Sequence, residues 1–159
     1  MAASAPELFW VLSNPMLAAL QGTTRSIPTV FVQVADPVGS GFVESLARPG
    51  GNTTGFANFE NTMAGKWLEL LHELQRSTTR ALILMHPGTA AHRAFLQSAE
   101  AAAKTFGIAP VAADIREAAD IERVIASFTE QADGGMIPLP HPLVQSRSRP
   151  VVLHAGSCL

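Results

Sequence analysis

The chain has 159 residues, of which 47% are apolar and 15% charged, with a formal net charge of −2. That length and balance describe a globular chain with a real core rather than a disordered one, and one domain is the expectation from length alone. Its eleven Lys and Arg residues are scattered, which excludes the basic surface that a nucleic acid partner requires, and no apolar run reaches the roughly 18 residues of a membrane helix.

The opening stretch, "MAASAPELFWVLSN", lacks the basic n-region of a secretory signal. Within it "ELFWVLS", Glu7 to Ser13, is a short apolar run followed by Asn14-Pro15 and "MLAALQGTT", and reads as strand, loop and helix. "IPTVFVQVAD" is rich in β-branched residues and stops at Asp36-Pro37, as a buried parallel strand does. "GFVESLARPGG", Gly41 to Gly51, predicts a short helix ended by Pro49-Gly50-Gly51, and "NTTGFANF" is extended. From Asn61 a 3.6-residue period sets Met63, Trp67, Leu70, Leu71 and Leu74 on one helix face, with Asn61 or Thr62 available as the N-cap.

"TRALILMH", Thr79 to His86, is a continuous apolar strand, "PGTA" a turn, and Ala90 to Phe106 an alanine-rich helix closed by Gly107. "IAPVAADI" follows as a strand, "EAADIERVIASFTEQA" as a helix and "GGMIPLPHP" as a strand running into a loop. Four β-then-α steps in series predict an α/β fold, a doubly wound parallel sheet with helices on its faces. After Val144, "QSRSRPVVLHAGSCL" breaks this rhythm.

In such a sheet, ligands bind beyond the carboxyl ends of the strands, where loops and helix N-termini converge. The candidate loops are Ser13-Asn14-Pro15, Asp36-Pro37-Val38, His86-Pro87-Gly88-Thr89 and Pro140-His141-Pro142. Asp36 could pair with an ammonium group or accept sugar hydroxyls, and Ser13 and Asn14 could hold a carboxylate. The plainer alternative is that Asp36 starts a turn and Asn14 caps a helix.

His72, His86, His92, His141 and His154 show no metal-ligand spacing, and no metal or cofactor is expected. His72 reads as a surface or flank residue of its helix. Catalysis finds no support either, since there is no G-x-S-x-G elbow and the one cysteine, Cys158, has no ordered base nearby. "GSGFVES" is not G-x-G-x-x-G, so dinucleotide binding is disfavoured.

The block "IPTVFVQVADPVGSGFVESLARPGGNTTGFANFE" with "GKWLELLHEL", and then "TRALILMHPGTA", "AADIERVIASF" and "GGMIPLP", resembles the substrate-binding components of bacterial ABC-type transport systems. That family includes tryptophan- and tyrosine-type binding proteins. The resemblance covers Glu7 to Pro142. It implies periplasmic-binding-protein type I-like lobes joined by a hinge at Phe56 to Glu60, holding a small organic solute, an amino acid being one candidate, and delivering it to permease subunits outside the cytoplasm. It implies a binding protein, not an enzyme, with Ser13, Asn14, Asp36, Asn58, His86, Thr89 and His141 as ligand contacts. Where members often carry an asparagine, this chain has His86.

Members run to about twice this length, so a partial product is expected: residues 1–55 as a remnant of the first lobe, 56–143 as the second lobe and 144–159 as a divergent tail. "FWVL" and "TVFVQV" should then present unpaired strand edges prone to association. The competing expectation is a cytosolic single-domain regulatory module of the flavodoxin or receiver type, against which stands the lack of an acidic pair by the first strand.

Overall fold

A computed structural model describes residues 6–146; His154, Cys158 and the expected tail from residue 147 on lie outside the described residues. The described residues form two compact units, one holding residues 6–61 together with Gly88–Ala94, the other Thr62–Pro87 and residues 95–146. Each has its own three-stranded parallel sheet. No helix among the described residues is long and apolar enough to cross a membrane.

In the first unit the strand order is β1 (Phe9–Val11), β2 (Thr29–Ala35), β3 (Thr53–Phe59), and helix α1 (Asn14–Gln21) follows β1. Val11, Leu17, Phe31, Val34 and Val43 form the buried cluster, with Phe9, Leu20 and Phe42 packed against it. Inward residues alternate along β1, so Leu8, Trp10 and Leu12 face out and are exposed. β2 is central and paired on both sides. The expectation of an unpaired "TVFVQV" edge is therefore corrected, because "TTGFANF" covers it and the open edges belong to β1 and β3.

No helix forms over Gly41–Gly51, a second correction. The N–H groups of Phe42 and Val43 both turn back to the Pro37 carbonyl, at 2.9 and 3.4 Å, while Ser45 Oγ accepts the Arg48 N–H at 2.9 Å. A turn-forming proline and serine thus claim the donors a helix would need. Gly50, at φ +84°, serves this loop rather than a helix end.

β2 and β3 carry compensating bulges. Val32 pairs with Phe56 and Val34 with Ala57, so Gln33 is an extra residue on β2; Ala35 then pairs with Phe59, so Asn58 is an extra residue on β3. Gln33 takes the left-handed conformation, φ +55°, that a bulge demands and a β-branched neighbour would resist. Val34 and Ala35 are consequently both buried. Gly55 sits opposite Phe31 because a Cβ there would lie 2.0 Å from the Phe31 carbonyl oxygen.

In the second unit the order is β5 (Ala109–Asp114), β4 (Arg80–Met85), β6 (Gly134–Pro138), with helices α2 (Met63–Leu74), α3 (Ala90–Phe106), whose first turn belongs to the other unit, α4 (Ala118–Thr129) and α5 (Pro142–Gln145). Ala81, Leu82, Ile83 and Leu84 of β4 are at most 1% exposed, which is why this strand reads as an unbroken apolar run. Burying each of the Leu and Ile side chains stabilises the unit by roughly 1.5–3 kcal/mol before entropy is counted. On one face Leu82 and Leu84 meet Ile115, Ile121, Ile125 and Val144. Arg80 lies over the Phe128 ring at 4.3 Å, closing the edge of that cluster.

α2 begins after Thr62, whose side chain makes no capping bond, while Asn61 is engaged elsewhere. Its buried residues are Ala64 and Leu68, with Trp67 stacked on Phe95 at 5.6 Å; Met63, Leu70 and Leu74 are exposed. The predicted face is thus rotated by about one position, since the small Ala64 and Gly65 let α3 approach, with Ala102 3.3 Å from where a Gly65 Cβ would stand. His72 is half-buried and tilted against Phe106, with Nδ1 buried and without a hydrogen-bond partner among the described residues. α3 ends as predicted at Gly107, φ +67°, where the Ile108 N–H closes back onto the Ala103 carbonyl at 3.2 Å.

Candidate functional site

The carboxyl end of the first sheet gathers Ser13, Asn14 and Asp36. Ser13, nearly buried, is the extended residue before α1 and accepts the Leu17 N–H on its carbonyl at 3.0 Å; its side chain makes no capping bond. Asn14 does not cap the helix either. Its amide reaches across to β2, bonding both backbone groups of Ala35, with Ser40 Oγ 3.5 Å from Nδ2.

Asp36 follows Ala35 with φ +43° and is 8% exposed. Its N–H donates to the Phe59 carbonyl at 2.8 Å, tying the ends of β2 and β3 together, and its carbonyl accepts the Ser40 N–H at 2.9 Å. The carboxylate accepts the Gly39 N–H on Oδ1 at 3.1 Å and the Asn61 side-chain amide on Oδ2 at 3.3 Å. Asp36 therefore does start a turn. Yet both donors are neutral, and among the described residues no basic side chain forms an ion pair with it. A buried carboxylate held only by neutral donors keeps capacity for a cation. Gly39 is what admits it: a Cβ there would stand 2.2 Å from Oδ2.

Thr89, in the segment that belongs with the first unit, is 4% exposed and its Oγ1 has no hydrogen-bond partner among the described residues. Its carbonyl accepts the His92 N–H at 3.0 Å. Asn58 stands exposed on β3 at the bulge, apart from the Asn14–Asp36 network.

At the carboxyl end of the second sheet, His86 after β4 and His141 after β6 stack with ring centroids 4.2 Å apart and planes within 7°. His141 is nearly buried and caps α5, its Nδ1 accepting the Leu143 N–H at 3.2 Å. The neutral ring must then carry its proton on Nε2.

Sequence reasoning missed Gly39, Ser40 and Asn61 around Asp36, and Gln33 in its bulge. For Gly39 the signal was present in the D-x-x-G spacing of a four-residue turn, with Asp at its first position and Gly at its fourth; Asn61 offers a helix cap by its place in the sequence. A separate hollow of about 500 Å³ under the loop after Asp36 is lined by Gln21, Phe42, Glu44 and Asn52 among others; Val38 of the candidate loop lines it, but none of the expected ligand contacts does.

The sequence profile of the ABC transporter substrate binding protein family matches residues 3–157. A curated tyrosine-binding protein of Clostridioides difficile (strain R20291) is 26% identical over 140 residues, covering 88% of this chain and 40% of that protein. Among solved structures, a conserved domain protein from Vibrio cholerae superposes with a TM-score of 0.72 at 28% identity, covering 79% of this chain and 42% of the other. An ABC domain from Streptococcus pneumonia in complex with L-Trp superposes at 0.80 with 20% identity, covering 91% and 48%, a likeness of fold. The chain spans less than half the length of these relatives.

Proposed function

The chain belongs to the ABC transporter substrate binding protein family, and we propose that it takes part in capturing a small organic solute, an amino acid, for delivery to permease subunits outside the cytoplasm. Binding rather than catalysis is the role. The observation that carries this reading is Asp36: a buried carboxylate at the carboxyl end of the central strand, held by neutral donors and without an ion-pair partner among the described residues. An α-ammonium group is the cation that such a carboxylate would take.

The names of the relatives support the amino-acid class, since one is a tyrosine-binding protein and another holds L-Trp. Ser13 and Thr89 supply hydroxyls, with Thr89 Oγ1 buried and unpaired among the described residues, and Asn14 acts by fixing the residue that precedes Asp36. His86, His141 and Asn58 complete the proposed contact set. The regulatory single-domain alternative is set aside by the family match and by the division of the strands into two sheets.

Calorimetric titration of the chain with free L-amino acids and their N-acetyl counterparts tests the reading. Free amino acids should bind and the acetylated forms should not, and Asp36→Asn should weaken binding by roughly tenfold or more, since breaking a buried charge pair costs about 2–5 kcal/mol. Equal binding of both forms, or an Asp36→Asn variant with unchanged affinity, would overturn it.

A further inference from the structure

The hollow under the loop between β2 and β3 is built from the first unit alone, and hydrogen bonds fix its walls. Gln21, the last residue of α1, donates from Nε2 to the Phe42 carbonyl at 2.8 Å and to Thr53 Oγ1 at 3.2 Å, tying the helix to the loop and to the start of β3. Asn52 donates to the Ile27 carbonyl at 2.6 Å, and the Glu44 N–H closes its turn onto the Pro49 carbonyl at 3.1 Å. Gln21 Oε1 is left with no hydrogen-bond partner among the described residues.

Two opposite charges border this space without meeting. Glu44 lines the hollow of about 500 Å³, and Arg25 lines an adjoining one of about 400 Å³. Every residue lining the second except Arg25 also lines the first, so the two form one trough with the acid on one part and the base on the other. Both side chains are exposed, and neither forms an ion pair among the described residues. Glu44 is nonetheless laid along the wall: a Cβ on Gly50 would stand 2.4 Å from its Cδ and 2.7 Å from Oε1. Only a glycine leaves that room, and at φ +84° only a glycine takes the backbone without strain.

We propose that this trough binds a small zwitterion whose charges stand apart, an ω-amino acid or a di- or tripeptide with free ends. The ammonium end goes to Glu44, with Gln21 Oε1 as a second acceptor, and the carboxylate end goes to Arg25, whose guanidinium grips it with two parallel N–H donors. Phe42, which lines both hollows, gives the intervening chain an apolar wall. An α-amino acid carries both charges on one carbon and does not reach from one part of the trough to the other. Either volume lies within the range of small-molecule sites, about 300–1,000 Å³. The inference stands whether or not the amino-acid reading holds, because none of the contacts assigned there borders this space.

Proton–nitrogen NMR of the full chain titrated with ε-aminohexanoate and with triglycine tests this. The amides of Glu44, Gly50 and Gly51 should shift in one saturable transition, and whichever probe binds more tightly names the source of the ligand. Hexylamine and hexanoate, each with one of the two charges, should bind roughly two- to fivefold more weakly than ε-aminohexanoate, the worth of one exposed charge pair. Glu44→Gln and Arg25→Gln should each weaken the zwitterions by a similar factor. Absence of a saturable shift with both probes would overturn the proposal, as would equal affinity for ε-aminohexanoate and its singly charged analogues, a comparison that needs no variant. Shifts confined to Gly39 and the Asp36 turn would overturn it too, by assigning the probes to the other carboxylate.

Discussion

Asn14 grips one residue of the neighbouring strand by both ends of its amide, Nδ2 donating to the Ala35 carbonyl at 2.7 Å and Oδ1 accepting the Ala35 N–H at 2.9 Å. A side chain here does what a further strand would do at the end of a ladder. Because Ala35 immediately precedes Asp36, the carboxylate inherits its position from this clasp. Asn14→Ala strands two buried backbone groups and should cost about 1–3 kcal/mol. Asn14→Asp retains the shape but offers the Ala35 carbonyl no proton at neutral pH, and should cost at least as much there, with partial recovery as acid supplies one. Urea midpoints of the two variants at neutral and mildly acidic pH measure both effects.

Gly39 is set by the carboxylate and not by its own backbone, since a Cβ at this position would meet Asp36 Oδ2 at 2.2 Å. Gly39→Ala should destabilise by about 1–3 kcal/mol through that overlap. The penalty should shrink once Asp36 is shortened to alanine, giving a coupling energy in the double-mutant cycle. Equal penalties in the two backgrounds would show that Gly39 is needed for some other reason.

At the start of α4, Asp120 and Glu117 form a reciprocal cap, with the Asp120 carboxylate also bonded by the Arg116 N–H at 2.9 Å. That backbone bond, then the Arg123 side chain at 2.5 Å and the Glu117 N–H, hold its pKa below the ordinary carboxylate value. A depressed carboxylate stabilises fully above its unfolded pKa, and the contribution is lost as pH falls through the folded value. Asp120→Asn should therefore lower the melting temperature at pH 7, with a gap to the unsubstituted chain that closes in acid below the ordinary carboxylate range. A gap independent of pH would remove the charge from the explanation.

Most of the regular elements could be read from the order of residues because each rests on a local cause: the β-branched run of β2, the apolar run of β4, the left-handed glycine after α3. What escaped were features decided by a partner distant in sequence. The stretch Gly41–Gly51 has helical composition, but its N–H groups are claimed by Pro37. α2 turned Met63, Leu70 and Leu74 outward because Ala64 and Gly65 let another helix come close, a preference that only α3 makes visible. Among the site residues, Asp36 was legible as a strand-end acid, while its neighbours Gly39 and Asn61 required the turn to be built first. Asn14 suited a cap by residue type, and nothing in its local sequence points to Ala35, 21 residues away.

The paired bulges at Gln33 and Asn58 also bear on how this stretch can change length. Each strand carries one residue more than a regular ladder would use, and the surplus on one cancels that on the other before Asp36 meets Phe59. Loss of a single codon at either position would leave the strands a step out of phase, so that the Asp36 N–H could reach the Phe59 carbonyl only by dragging the turn with it. Loss at both would restore phase in a shorter, straighter pair. Insertions and deletions in β2 and β3 are therefore linked, and a descendant of this sequence that shed Gln33 while retaining its carboxylate turn would be expected to have shed Asn58 as well.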